Sequence, residues 1–251
     1  MLIVDSHAHL DSPELETFLS AYDQTSLRVV SNSVSVDSSV RNLDIAKKFA
    51  SVVPFVGIHP EIFRNPGNLS KKEIDNMAEK ILLLSKSAKG IGEIGLDPNY
   101  GRVDDQRYLF TRMLEIAEKV KLPISIHSRD ATSEVLELIS TRALKSGMLF
   151  HWFTGDQIEL KKIHALGIYT SFGPSIIFSK RMGNLIRMSD QRFILAETDS
   201  PTRFRSLLDA PGNPTLVSSV VFQMSRLLNL TFDQTCELTN ANSKNYLSTQ
   251  D

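Results

Sequence analysis

The residues best suited to chemistry begin with two histidines near the amino terminus. His7 and His9 follow the apolar run Leu2-Ile3-Val4. On an extended strand, side chains two residues apart point the same way and lie ~6.5 Å apart. Both imidazoles can therefore bind one metal ion. A single pair of this kind also arises by chance on a surface, so the interpretation depends on the rest of the chain.

Later apolar runs end in the same types of residue. Of the six histidines in the chain, five lie at the ends of predicted strands, Glu93 lies within a fourth apolar run, and a carboxylate follows the last. The set is His7, His9, His59, Glu93, His127, His151 and Asp199. Taken singly, each of these histidines is better explained as a hydrogen-bonded structural residue. Taken together, imidazoles and carboxylates at one end of a sheet suit two divalent transition-metal ions.

Glu93 is the hardest of these residues to explain structurally. It lies between Gly92 and Gly95 in an apolar strand that contains no lysine or arginine. An unpaired buried carboxylate costs several kcal/mol, so a bound cation is the expected counter-charge. The sixth histidine, His164, belongs to a lysine-rich helical stretch, and we expect it at the surface and outside the site.

Eight apolar runs alternate with helical patterns along the chain. The predicted strands cover residues 2–7, 27–31, 52–58, 90–95, 123–127, 148–151, 168–171 and 193–196. The predicted helices cover residues 12–21, 37–50, 70–86, 104–120, 131–142, 156–166, 176–188, 213–229 and 231–247. Eight such units predict an α/β protein with a (β/α)₈ TIM barrel, in one domain over residues 1–251. An open doubly wound sheet is the alternative, but no Gly-x-Gly-x-x-Gly turn follows the first strand.

Composition narrows the class of protein. The single cysteine, Cys236, excludes an intramolecular disulfide and a cysteine-based zinc cluster. A net charge of −1 gives no overall attraction to nucleic acid, so such binding must come from a local patch. The first predicted strand begins at residue 2, and no apolar run approaches the ~20 residues of a membrane span. We therefore expect a cytoplasmic protein with no membrane association.

Six short stretches carry a family resemblance and occur in the family's order. They are Asp5-Ser6-His7-Ala8-His9-Leu10-Asp11, Gly57-Ile58-His59-Pro60, Gly92-Glu93-Ile94-Gly95-Leu96-Asp97, Ile126-His127-Ser128-Arg129, His151-Trp152-Phe153-Thr154-Gly155 and Glu197-Thr198-Asp199-Ser200-Pro201. With them the chain resembles the TatD family of metal-dependent deoxyribonucleases, within the amidohydrolase-like barrel group. Together the stretches are highly specific and cover most of the chain.

The resemblance implies a metal-dependent hydrolase, a 3′-5′ exonuclease-like deoxyribonuclease that cleaves phosphodiester bonds with a two-metal-activated water. It implies that one ion is bound by His7, His9 and Asp199, that a second is bound by His127 and His151, and that Glu93 bridges them. Asp199 would also accept the proton of the nucleophile; the alternative is a cap on the turn at Ser200-Pro201. The ions expected for such a site are zinc, manganese, nickel, cobalt or magnesium.

Several neighbours are expected to support the centre. Asp5 and Asp97 can orient ligand histidines through their free ring nitrogens, and each can equally be a helix or turn cap. Glu197 shares the alternation phase of Asp199, which predicts that it faces the pocket. His59 matches the substrate-contacting histidine of the family, and a structural hydrogen bond is an equal alternative.

The loops after the strands contain basic and aromatic residues that suit DNA, as a single strand or a 3′ end. The basic residues are Arg64, Arg102, Arg129, Lys180, Arg181, Arg203 and Arg205. The aromatic residues are Phe63, Tyr100, Trp152, Phe153, Phe172 and Phe204. We expect Arg129, Trp152 and Arg203 to bind substrate. The alternative is that the arginines are ordinary surface residues and the aromatics belong to the core.

Two departures from the family pattern affect the predicted DNA-binding region. Pro98 stands where the family has an aromatic residue, and Thr202 follows the Asp199-Ser200-Pro201 stretch where another is usual. DNA-end binding can thus be altered while the hydrolytic centre is intact. Two alternatives stay open: hydrolysis of a small ester, lactone, amide or aminoacyl-tRNA bond, and a metal-binding scaffold without turnover.

Overall fold

The protein is described from a computed structural model, which covers residues 2–22, 26–64, 69–204 and 210–248. Its sheet runs in chain order through β1 (Ile3–Ala8), β2 (Leu27–Ser31), β3 (Val52–Val56), β4 (Gly90–Gly95), β5 (Ile124–His127), β6 (Met148–Phe150), β7 (Tyr169–Phe172) and β8 (Ile194–Ala196). Each successive pair is parallel. Ser6 Oγ donates to the Ala196 carbonyl at 2.9 Å, which joins β1 to β8. The predicted (β/α)₈ barrel is confirmed.

Helices alternate with these strands. They are α1 (Glu16–Ser20), α2 (Val36–Lys48), α3 (Lys71–Leu84), α4 (Val103–Val120), α5 (Thr132–Ser140), α6 (Gln157–Ala165), α7 (Lys180–Met188), α8 (Val217–Leu228) and α9 (Phe232–Leu247). The predicted helix over residues 12–21 is shorter, because a 3₁₀ turn at Pro13–Leu15 precedes α1. The stretch over 176–188 likewise contains the end of a 3₁₀ turn, Pro174–Ile177, before α7. No helix in the described ranges is long and apolar enough to cross a membrane.

The helix starts follow from local hydrogen bonding. Ser70 and Glu73 form a capping box at α3, Asp156 and Glu159 form one at α6, and Thr231 does the same for α9 with Gln234. Each box satisfies backbone N–H groups that the first turn leaves without partners. The starts of α3, α6 and α9 are therefore fixed by local hydrogen bonds.

Tyr246 of α9 closes the barrel interior near the amino-terminal ends of the strands. Its ring is fully buried against inward-facing Phe55, Leu149 and Leu195. Its hydroxyl donates to the carbonyl of Ile124, the first residue of β5, at 3.1 Å. This end of the barrel interior is filled with apolar and aromatic groups. The polar side chains of the strands lie at the opposite, carboxyl end.

His164 of α6 is buried, contrary to the surface position expected for it. Its Nε2 lies 2.9 Å from Thr170 Oγ1, and its Nδ1 accepts from the Asp190 N–H at 3.2 Å. Because residues four apart share a helix face, His164 lies on the same inward face as buried Leu160. Burial lowers the pKa of His164 to about 4, so its ring is neutral at neutral pH. Its absence from the polar cluster at the barrel mouth agrees with the sequence prediction.

Candidate metal centre

Six side chains predicted to bind metal converge at the carboxyl end of the barrel. His7 is in β1 and His9 follows it; Glu93 is in β4, His127 ends β5, His151 follows β6, and Asp199 follows β8. The barrel brings together residues that are up to 192 positions apart, because every strand points the same way around one ring.

Glu93 lies at the centre of this cluster. Its Oε1 is 2.8 Å from both His127 Nδ1 and His151 Nε2, whereas its Oε2 is 3.3 Å from both His7 Nε2 and His9 Nε2. One carboxylate thus has an oxygen directed at each of two pairs of imidazoles. The arrangement matches the geometry required of a bridging ligand.

The protonation of Glu93 follows from its neighbours. Burial favours the neutral acid, but the charges of His151 and His59 and hydrogen bonds with His127 and His151 hold the pKa well below its usual range. Its side chain is therefore an anion in a buried place. This anion is surrounded by imidazoles, with no lysine or arginine among its ion-pair partners in the described residues.

His7, His9 and Asp199 form the first group of possible ligands. The two Nε2 atoms are 3.3 Å apart, and Asp199 Oδ1 lies 3.7 Å from His7 Nε2 and 3.3 Å from His9 Nε2. Asp199 has a left-handed backbone (φ 50°), a conformation that aspartate tolerates better than most residues. Thr202 Oγ1 donates to Asp199 Oδ2 at 3.1 Å and fixes its orientation.

The second group lies on the other side of Glu93. His127 Nδ1 and His151 Nε2 are 3.5 Å apart, close to their shared contact with the Glu93 oxygen. His59 also joins this side: its Nε2 is 3.3 Å from Glu93 Oε1, and its Nδ1 accepts from the Glu61 N–H at 3.2 Å. His59 thus makes the alternative structural hydrogen bond and still presents its other nitrogen to the cluster.

The outer nitrogens of three imidazoles are also held. His7 Nδ1 lies 2.8 Å from Ser125 Oγ, and His127 Nε2 lies 3.0 Å from Asp97 Oδ2. His9 Nδ1 donates to the Asn32 carbonyl at 3.1 Å. A carbonyl can only accept a hydrogen bond, so His9 Nδ1 carries a proton. Nε2 is then the nitrogen available to bind a metal ion.

Ser125 and Asn32 are supporting residues that the sequence reasoning missed. Ser125 stands two residues before His127 in β5, so strand alternation places both side chains on the same face. That spacing was available in the sequence as a signal for Ser125. The role of Asn32 depends on its backbone carbonyl, for which the sequence contains no signal.

Asp97 has both roles proposed for it, but Asp5 has only one. Asp97 contacts the His127 ring and accepts from the Asn99 N–H at 3.1 Å, which caps the following turn. Asp5 makes no hydrogen bond or ion pair to a histidine ring in the described residues, so the expected contact is absent. Instead it accepts from Thr198 Oγ1 at 2.5 Å and from the His7 N–H at 3.2 Å, because it faces the loop after β8.

Glu197 is buried behind His151. It accepts a hydrogen bond from Ser171 Oγ, and its Oε2 lies 3.9 Å from His151 Nδ1. Glu197 Oε1 and His151 Nδ1 have no hydrogen-bond partner within the described part of the chain. Burial, together with the charge of Asp199, raises the pKa of Glu197 well above its usual range. It faces the barrel interior behind His151 and does not line the cavity, so the predicted place in the pocket is not observed.

The donor set fits divalent metal ions. Nitrogens of separate imidazoles lie 3.3 Å and 3.5 Å apart, close enough for each pair to bind one ion once the rings are deprotonated. Burial, reinforced by the charge of the adjacent His151, lowers the pKa of His7 to about 3, so this ring is already neutral at neutral pH, as a metal ligand must be. Imidazoles with carboxylates are the ligands preferred by zinc and its neighbours in the transition series.

Comparisons with known proteins agree with the motifs and the fold. The sequence profile described as TatD related DNase matches residues 4–248. The chain belongs to this family. The chain is 26% identical to the uncharacterized metal-dependent hydrolase YabD of Bacillus subtilis, over 97% of this chain and 98% of that protein. It is 24% identical to deoxyribonuclease TATDN3 of Homo sapiens, over 96% and 93%.

Solved structures of the TatD family share the barrel. The structure of YjjV, a TatD homolog from Escherichia coli, superimposes with a TM-score of 0.84 at 20% identity and covers 97% of each chain. A TatD family hydrolase from Entamoeba histolytica superimposes with a TM-score of 0.82 at 17% identity, over 98% of each chain. The predicted family is confirmed, and the fold of this TatD family member is the one its relatives have.

A cavity of about 1250 Å³ opens above the polar cluster. Arg129, Tyr100 and Trp152 line it, as do His59 and Asp199. Trp152 has a left-handed backbone (φ 40°), which is unusual for a bulky residue and is found most often where function constrains a site. Its ring packs on Phe204 with centroids 5.5 Å apart.

Arg203 is not part of the cavity wall, contrary to its predicted role in substrate binding. Its Nη2 donates to Glu14 Oε1 at 2.8 Å, in the turn before α1, and Arg203 is absent from the cavity lining. The pairing with a carboxylate from the first β-to-α connection was not visible in the sequence, because 189 residues separate the two.

The other basic and aromatic residues divide between rim and core. Phe63, Phe153, Phe172 and Phe204 are buried, as the core alternative predicted. Arg64 lies over the Tyr100 ring at 4.7 Å, and Arg102 over the Phe63 ring at 5.3 Å. Arg181 lines the cavity but donates to the Thr154 and Gly155 carbonyls at 2.6 and 2.7 Å. Lys180 begins α7 and does not line the cavity, and Arg205 lies outside the described residues.

Proposed function

We propose that residues 1–251 form one catalytic domain, a two-metal hydrolase that cleaves phosphodiester bonds at the ends of DNA strands. The observation that carries the proposal is the position of Glu93. Its two oxygens face two separate groups of imidazoles at the carboxyl end of the barrel. A structural salt bridge needs one partner, whereas this carboxylate has five imidazoles within 3.3 Å.

The two ions are assigned to the two groups as the family resemblance implies. His7, His9 and Asp199 would hold one, His127 and His151 would hold the other, and Glu93 would bridge them. Zinc, manganese, cobalt or nickel suits these donors best, and magnesium is the poorest match because it prefers oxygen ligands. When bound, the ions supply an activated water and polarise the scissile phosphoryl group.

The side chains of the centre contribute specific steps. Asp199 accepts the proton of the attacking water. Its pKa is held below the usual value, because hydrogen bonding to His9 and the charges of His9 and His151 outweigh burial. The carboxylate is therefore ionised at neutral pH. Asp97 holds the His127 ring in one orientation through Nε2. Arg129 lines the cavity, and in this proposal its guanidinium orients the phosphate.

Support for a DNA substrate comes from two sources. Relatives in human and mouse bear deoxyribonuclease names, the mouse protein as a putative one. In the cavity, Tyr100 and Trp152 are aromatic surfaces for bases, and Arg129 is a cation for phosphate. A small ester, lactone, amide or aminoacyl-tRNA bond is the competing substrate, because the centre itself does not distinguish these bonds.

The test uses the 251-residue chain loaded with zinc or manganese. Single-stranded DNA with a free 3′ end is compared with the same strand blocked at the 3′ end and with panels of esters and lactones. We expect stepwise shortening of the free strand, protection of the blocked strand, and no turnover by Asp199→Asn. Rapid turnover of a lactone or ester with intact DNA would contradict the proposal. Metal-replete protein that is inert on every panel would favour the non-catalytic scaffold.

A further inference from the structure

The charges on the cavity rim are mostly negative. Outside the metal cluster, two guanidinium groups among the described residues line the cavity, those of Arg129 and Arg181. Five carboxylates of the described residues line it with them: Glu61, Asp130, Glu134, Asp156 and Glu159. Glu134 is paired with Arg107, which lies outside the cavity lining. The remaining carboxylates still outnumber the arginines by two to one, so the rim opposes an extended polyanion.

The two arginines are not equivalent. Arg181 is committed to the Thr154 and Gly155 carbonyls of the neighbouring loop. Arg129 is exposed and makes no hydrogen bond or ion pair to the residues that the structure describes. It follows His127 by two positions, which places it beside the second group of ligands. Within the described ranges, the rim therefore offers one uncommitted cation, that of Arg129, enough for one phosphate next to the metal centre.

The aromatic surfaces are equally few. Tyr100 and Trp152 are the aromatic residues of the cavity lining in the part of the chain that the structure describes. One face of Tyr100 is covered by the Arg64 guanidinium, whose Nη2 donates to the tyrosine hydroxyl at 3.1 Å. Trp152 is covered on one side by Phe204. Each ring already has a neighbour against it, and Tyr100 also contacts the His59 ring with centroids 5.8 Å apart, so these two residues provide at most two base platforms.

We propose that the preferred substrate is a short strand end, with one phosphodiester clamped between Arg129 and the metal centre and two bases stacked, and that the negative rim disfavours longer strands without excluding them. The inference rests on the proposed function and names its substrate class as di- to trinucleotides. The cavity of about 1250 Å³ is somewhat above the ~300–1,000 Å³ of ordinary small-molecule sites, which suits a dinucleotide. Proteins that track a strand have instead a positive groove.

The experiment measures kcat/KM for a dinucleotide and for a single strand of about 20 nucleotides, at about 50 mM and about 300 mM NaCl. We expect the long strand to be no better than the dinucleotide at low salt. The ratio of kcat/KM for the long strand to kcat/KM for the dinucleotide then rises at least about threefold at high salt, because screening weakens the repulsion from the rim. A protein that uses phosphate contacts along the strand shows the opposite dependence.

A charge variant and a matched control identify the source of the effect. Asp130→Asn with Asp156→Asn removes two rim charges; asparagine tolerates the left-handed backbone at 130 (φ 54°) and caps α6 as aspartate does. Asp44→Asn with Asp233→Asn makes the same charge change on α2 and α9, outside the cavity lining. We expect the rim variant alone to raise the long-to-short ratio at low salt, by about threefold or more.

The outcomes separate this inference from the proposed function. A long strand preferred more than about tenfold at low salt, with the preference lost on adding salt, would overturn the short-substrate inference and leave phosphodiester cleavage intact. An equal response of the rim variant and its control would also overturn it. Absence of cleavage of both DNAs would reject the proposed function, and the inference with it.

Discussion

Replacement of Glu93 by alanine is the most informative single change, because one carboxylate contacts both halves of the centre. The substitution removes Oε1, at 2.8 Å from His127 Nδ1 and His151 Nε2, and Oε2, at 3.3 Å from the His7 and His9 nitrogens. If Glu93 bridges two ions, both binding equilibria lose a ligand at once. We expect metal and activity to be lost together.

The size of the effect follows from the position of the residue. Partners that only support a ligand change metal affinity by about 10–100-fold, and a direct ligand exceeds this range. We therefore expect each dissociation constant to rise by more than about 100-fold, equivalent to about 2.8 kcal/mol per site. The rate should fall at least as far, because both the ions and their spacing depend on this carboxylate.

The assay combines elemental analysis with competition against a chelator, on protein whose fold is checked by circular dichroism. Glu134→Ala is the matched control, because it removes the same group from the cavity rim, where the carboxylate pairs with Arg107 rather than with an imidazole. The control should retain both ions. A Glu93→Ala protein that keeps two ions and full activity would refute the bridging assignment.

The pKa of His127 in the metal-free protein provides a second test of the Glu93 contact. Burial lowers the pKa of His127, but hydrogen bonds with Asp97 and Glu93 outweigh it and raise the pKa to about 9. Removal of Glu93 takes away one of these two carboxylates, so the pKa of His127 should fall toward its ordinary value. A titration of the imidazole by NMR measures this shift. An unchanged His127 pKa would mean that the Glu93 contact is absent in solution.

Three further predictions concern other parts of the molecule. His164 has a folded pKa of about 4, below its unfolded value near 6.5, so its stabilising effect is complete above pH 6.5 and is lost as the pH falls toward 4. His164→Gln should reduce this loss by about 2 kcal/mol in urea unfolding at a series of pH values, and an unchanged profile would contradict the buried position. Tyr246→Phe should cost about 1 kcal/mol of stability, because its hydroxyl donates to the Ile124 carbonyl, without changing metal affinity. Arg129→Ala should raise KM for a dinucleotide by about tenfold and leave kcat within about twofold; a loss confined to kcat would place Arg129 in the chemistry instead.

The sequence was most informative about the barrel and the cluster at its mouth. Residues such as His127 and His151 end apolar runs, and parallel strands bring such ends together whatever their separation in sequence. Alternation along β1 correctly places His7 and His9 side by side, with Nε2 atoms 3.3 Å apart. Both conclusions depend on local pattern plus one topological rule, so they required no knowledge of side-chain packing.

The expectations that failed depend on contacts between distant segments. Arg203 pairs with Glu14 across 189 residues, and no local pattern indicates this partner. Asp5 faces Thr198 rather than a histidine ring, because the loop after β8 closes over the end of β1. His164 is the exception, since its spacing of four from Leu160 on α6 could have indicated burial.

The central claim is that Glu93 bridges two ions held by the imidazoles and Asp199. The most direct measurement is anomalous diffraction from crystals grown with zinc or manganese. The account predicts two peaks about 3.5–4 Å apart with Glu93 between them. One peak lies beside His7, His9 and Asp199, and the other lies beside His127 and His151. A cavity without anomalous signal, or a single ion that Glu93 does not contact, would contradict the account.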